Sequence, residues 1–139
     1  LSRVAEAARM LAARELQFSV GELLAEHHGG VAAYTILPGG SGDVDVVILD
    51  PRGRAALAAY EVKMGACSRG DLEKALEAAR HAGAPEAGAV CLRGVRGEPP
   101  PGISRVVDAR GLARMAVEAS LGAARRLAAG YGVSLHGPG

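Results

Sequence analysis

A single α/β domain, with helices packed on both faces of one mixed β-sheet, is predicted by three features of this sequence. Helical periodicity at the two ends brackets a central run of short β-rich segments. A further helical pattern interrupts those segments ahead of a continuously apolar strand, which signals a crossover inside a covered, partly parallel sheet. The chain of 139 residues, 49% of them hydrophobic, is long enough for one buried core and too short for two comfortable ones.

Residues 2–17 place Val4, Ala8, Leu11, Ala12 and Leu16 at three- and four-residue intervals, the apolar stripe of an amphipathic helix. A second helix is expected from Ser19, where Ser19 and Glu22 make an S-x-x-E capping pattern, to the stop at Gly29-Gly30. Residues 31–37, 43–49 and 55–63 read as three strands of a meander, joined by the turn PGGSG and by DPRGR. Ser68 and Asp71 open another helix, which ends near Ala82-Gly83, and residues 87–92 form the short buried strand. Residues 93–102 are a loop by their Pro and Gly content, 103–107 a last strand, and Asp108 a cap for a final helix to about Ala129. The expected organisation is an N-terminal helix (1–18), a core (19–107) and a C-terminal helix (108–129), all one domain, with a loose tail (130–139).

Aromatic residues make up 3% of the chain and Trp is absent, so Ala, Val, Leu and Ile must fill the core. The same scarcity argues against stacking platforms for single-stranded nucleic acid. A net charge of +1 neither supports nor excludes DNA as a partner. Arg supplies 14 of the 16 basic residues, which makes Lys63 and Lys74 stand out. Cys67 and Cys91 lie 24 residues apart with no CxxC and no matching His spacing, so neither a zinc site nor a disulfide is suggested, and a reducing, cytoplasmic setting is the default. No apolar run reaches the roughly 18–20 residues that span a bilayer, so no membrane partner is expected.

Side chains two apart in a strand share a face, so Glu61 and Lys63 project together, as do Asp43 and Asp45 on the preceding strand. If the two strands pair, carboxylates and an ammonium converge on a face otherwise made of Ala and Val. Charges in such a place need partners or a metal. Mg²⁺ or Mn²⁺ takes oxygen ligands and keeps several waters, so Asp45, Glu61 and the backbone carbonyl of Val62 would form a half-site open to a phosphate oxygen and an attacking water. Lys63 would lie beside that water as a compact donor, a geometry that the broad guanidinium of Arg does not reproduce.

Each of these residues also has a structural alternative. Glu61 and Lys63 can form an ion pair on a half-exposed strand, worth little energetically. Asp43 and Asp45 can flank the turn after GGSG, and for Asp43 that reading prevails. Glu22 can serve a capping box with Ser19. His27-His28 sits at a helix end, where imidazole suits the negative pole of the dipole. Arg52, Arg54, Arg93 and Arg96 can contact phosphates or simply be solvated.

The segment GDVDVVILDPRGRAALAAYEVK resembles the core of the PD-(D/E)xK nuclease superfamily, in which an Asp on one strand precedes an E-x-K on the next by a variable turn. The resemblance maps the Asp to Asp45, with Asp43 second, and the E-x-K to Glu61, Val62 and Lys63. The family's helical Glu, which often follows Gly, maps to Gly21-Glu22. The helix SRGDLEKALEAARHAG and the strand EAGAVCL continue the pattern, so the likeness covers residues 19–93. Small archaeal nucleases such as Holliday junction resolvases look closest in size and order. The resemblance implies a restriction-endonuclease-like α-β-β-β-α-β core and a Mg²⁺- or Mn²⁺-dependent endonuclease hydrolysing DNA phosphodiesters, on branched or repair-intermediate DNA. Asp45, Glu61, Lys63 and Glu22 would be its catalytic residues. One departure is the absence of the Gln that some branches carry after E-x-K, which leaves Lys74 as a substitute. The rival expectation is a non-catalytic DNA-binding or assembly module with a vestigial site. A homodimer is expected through an apolar stripe of the last helix: Leu112, Met115, Ala116, Ala119 and Ala123.

Overall fold

A computed structural model of the chain describes residues 2–36 and 44–132. Helix α1 (Ser2–His28) runs unbroken where the sequence predicts two helices, and Ser19 lies in its interior instead of capping a second one. Neither Pro nor Gly interrupts residues 16–20, and Leu16, Val20 and Leu24 continue one inward face at four-residue steps. The capping-box role for Glu22 therefore lapses. Gly21, inside this helix, costs about 1 kcal/mol relative to Ala. Its reason is Tyr34, because a Cβ at position 21 would collide with the Tyr34 ring, which also packs edge-on against Phe18 with centroids 4.7 Å apart.

Strands β1 (Val31–Ile36), β2 (Val44–Leu49) and β3 (Ala56–Lys63) form the antiparallel meander that the sequence predicts. The PGGSG turn and Asp43 lie outside the described residues, as does most of the C-terminal tail. The second turn uses its residues as their chemistry suggests: the Asp50 side chain accepts from the Arg54 N–H at 2.8 Å, and Gly53 takes a φ of 68°.

Helix α2 (Arg69–Ala82) then crosses to β4 (Glu86–Cys91), which pairs parallel with β3; β5 (Arg105–Val107) pairs parallel with β4, and α3 (Ala109–Gly130) closes the described chain. The sheet order is β1-β2-β3-β4-β5, so the architecture is α/β with a mixed five-stranded sheet. No helix among the described residues is long and apolar enough to cross a membrane.

The two faces of the sheet are covered differently. On one, Val20 and Leu24 of α1 and Met115 of α3 pack with Val46, Ile48, Tyr60, Val62 and Val90. On the other, α2 lays Leu72 and Ala79 on Ala59, Ala87, Ala89 and Cys91, and the small side chains let the helix approach closely. Leu112 and Met115, expected to face a second copy, instead face the molecule's own core, because the inner side of α3 is needed to finish the α1 layer. The outer side of α3 keeps Val117, Leu121 and Leu127 exposed.

The cysteines overturn the expectation of free thiols. Cys67 and Cys91 form a disulfide with a Cα separation of 5.6 Å, both side chains fully buried. Their meeting depends on tertiary return and not on local spacing: residues 64–68 leave β3 alongside residues 92–96, with Cys67 bridged to Val95, so the excursion through α2 brings β4 back beneath them. The cysteines thus give no support to a reducing compartment.

Candidate active site

Asp45 and Glu61 are direct partners across the antiparallel β2–β3 pair. Directly opposite residues share a face, with Cβ atoms about 4.5–5.5 Å apart. That face is the one under α2, because the alternate residues Val46 and Tyr60 belong to the core under α1. Glu61 is 1% exposed and Asp45 half-buried. This pair is also the last of the β2–β3 ladder among the described residues, at the carboxyl end of β3. Just beyond it, the Lys63 carbonyl accepts from the Leu92 N–H on the β4 side, so strand alternation directs the Val62 carbonyl towards β2.

Lys63, two residues after Glu61, rises from the same face. Its Nζ donates to Oδ2 of Asp71 at 2.9 Å, and the same oxygen accepts from the Ser68 N–H at 2.8 Å and the Ser68 hydroxyl at 3.0 Å. In return the Asp71 N–H donates to Ser68 Oγ, so the capping box expected from the sequence is complete and additionally holds a lysine. Burial pushes the Asp71 carboxyl upwards; the Ser68 N–H, the Lys63 ammonium and the Ser68 hydroxyl outweigh it and hold the group below its ordinary 3.8. Asp71 is absent from the site that the sequence predicts. The available signal is its place at the third position of a helix that begins directly after E-x-K.

Glu22 is not brought to this group. It is exposed on α1 and accepts from the Tyr34 hydroxyl at 3.4 Å, and Tyr34, opposite Val46, belongs to the α1 face of the sheet. His27 and His28 have other partners too. His28 Nε2 meets the Tyr60 hydroxyl at 2.7 Å and its Nδ1 lies 3.8 Å from Glu86, while His27 meets Arg105.

Among the described residues, no group of three or more His, Cys, Asp or Glu side chains is placed to hold a metal. Two carboxylates suit Mg²⁺, which commonly takes one or two from the protein and completes its shell with water and substrate oxygens. The two carboxylates and the Val62 carbonyl are all oxygen donors, the type that a hard divalent ion takes.

The arginines divide by position. Arg93 and Arg96 are exposed, and their backbone N–H groups donate to the carbonyls of Gly65 and Cys67, which sets both beside the connection that follows Lys63. Arg69, at the start of α2, is exposed at the same end. Arg52 and Arg54 lie in the turn beyond Leu49, at the opposite end of β2 from Asp45. Compared with family models, curated proteins and solved structures, the chain matches none.

Proposed function

We propose that this chain is a Mg²⁺- or Mn²⁺-dependent endonuclease that hydrolyses DNA phosphodiester bonds. The observation that carries the proposal is the direct pairing of Asp45 with Glu61 on one face, with Lys63 next along the same strand. The element order α-β-β-β-α-β, with an antiparallel meander and a parallel crossover, supports the restriction-endonuclease-like reading of the fold. Asp45, Glu61 and the Val62 carbonyl would hold the ion. When bound, it supplies Lewis-acid polarisation of the phosphodiester and a water acidified enough to attack at neutral pH. Lys63 donates a hydrogen bond at the reacting phosphate or its water, and Arg69, Arg93 and Arg96 grip neighbouring backbone phosphates. Cutting both strands of a branched substrate would suit a homodimer, paired through the outer side of α3.

One observation favours a second reading. Glu22 stands on the other face of the sheet, which leaves two carboxylates and suits a DNA-binding or assembly module of the same fold. A cleavage assay over junction, flap, mismatch and plain duplex DNA, in Mg²⁺, Mn²⁺ or EDTA, separates the two. Cleavage should appear only in the metal lanes, vanish in Asp45→Asn, and fall by about 100-fold or more in Lys63→Arg. Metal-independent DNA binding with no cleavage of any substrate would instead establish the module.

A further inference from the structure

We infer that Asp71 is the positioning residue of Lys63, an inference that rests on the nuclease reading of Asp45, Glu61 and Lys63. Lysine has a long stem with many rotamers, and an unheld ammonium at the end of a strand would sample most of them. Here it is held. Asp71 receives Lys63 Nζ at 2.9 Å, and three features fix that carboxylate in turn: the Ser68 N–H, the Ser68 hydroxyl and the rigid first turn of α2. Only 11% of the Asp71 side chain is exposed, whereas Lys63 keeps 40%, so the anion is walled in and the cation still reaches solvent and ligand. An ammonium carries three N–H donors, and Asp71 aims the group by taking one of them. The disulfide partner Cys67 immediately precedes Ser68, which anchors the box to β4. A catalytic donor displaced by about 1 Å typically loses on the order of 100-fold in rate, so the aim of this side chain matters to turnover more than to binding.

Asp71→Asn isolates the role. The amide oxygen still accepts from the Ser68 N–H and preserves the helix start, but the charge that holds Lys63 is gone. Single-turnover kinetics on the best DNA substrate should show kcat lowered by about 10- to 100-fold. KM for DNA and Mg²⁺ affinity should stay within about twofold, as befits an interaction that matters only at the transition state. Introduced on a Lys63→Ala background, the same substitution should add less than about twofold, since residues that act as a unit are non-additive. Asp71→Glu, which keeps the charge but moves it by one methylene, is the second variant and should also lower kcat. Asp50→Ala, which removes the turn bond to Arg54 at the opposite end of β2 from Asp45, controls for stability and should leave kcat unchanged.

Wild-type cleavage with kcat undiminished or raised in both Asp71 variants would overturn the positioning role alone. Additive losses on the Lys63→Ala background would do the same. A wild-type chain that cleaves none of the substrates overturns the nuclease reading, and the role of Asp71 with it.

Discussion

Asp45 and Glu61 face each other across the β2–β3 pair at the carboxyl end of β3, the place where open α/β sheets most often bind ligands. A second titratable group has a clear consequence for stability. Burial, then the neighbouring His27, holds the His28 imidazole below its ordinary 6.5, with Glu86 opposing. A neutral folded imidazole means that the unfolded chain takes up the proton first on acidification. Stability is therefore full above pH 6.5 and declines as pH falls below it towards the depressed folded value. The lowered Asp71 carboxyl adds a separate loss that begins only below about pH 3.8. Urea titrations between pH 7.5 and 5 should show this first decline in the wild type and a flatter profile in His28→Gln, which can still bond the Tyr60 hydroxyl. An equal slope in both proteins would contradict it. At this scale the shared face of Glu61 and Lys63 is legible from a period of two, but the Asp45–Glu61 meeting also needs the bulge between Ile48 and Leu49, without which the turn-proximal register would set Asp45 opposite Tyr60. The Lys63–Asp71 pair is not legible, since it depends on where α2 begins relative to the end of β3.

Elements show where local signals compete. Ser19 and Glu22 spell a helix start, yet α1 passes through them, because a continuous hydrogen-bond ladder and the shared face of Leu16, Val20 and Leu24 outweigh one cap of about 1 kcal/mol. By contrast Ser68 and Asp71 follow a strand, where no ladder competes, and the cap forms as written. The disulfide is a tertiary event with no local cue. It joins the entry of α2 to the end of β4 and closes a loop of 24 residues in sequence. Loop-closure entropy assigns such a link about 3 kcal/mol of stability. Denaturant unfolding of Cys67→Ser, compared with the oxidised wild type, should show a loss of that order. Stability unchanged by the substitution, or by reductant in the wild type, would mean that the link contributes nothing.

For the molecule as a whole, the sheet divides labour between its faces. The α1 face is apolar at its centre, with Tyr60 seated over Gly88, where a Cβ would strike the ring, and carries Glu86 and Arg105 near its edge. The α2 face carries Asp45, Glu61 and Lys63, and small residues elsewhere on it bring α2 near enough for its first turn to touch Lys63. Composition and periodicity make the α/β class and the meander-crossover order legible; Glu22's side of the sheet is not, because it depends on which face α1 covers. The proposed nuclease activity requires a divalent cation shared between β2 and β3, and anomalous diffraction from crystals soaked in Mn²⁺ would locate it. One peak is expected within about 2–2.5 Å of a carboxylate oxygen from each of Asp45 and Glu61, absent in Asp45→Asn. A well-ordered site with no peak there, or a peak that survives Asp45→Asn unmoved, would contradict it.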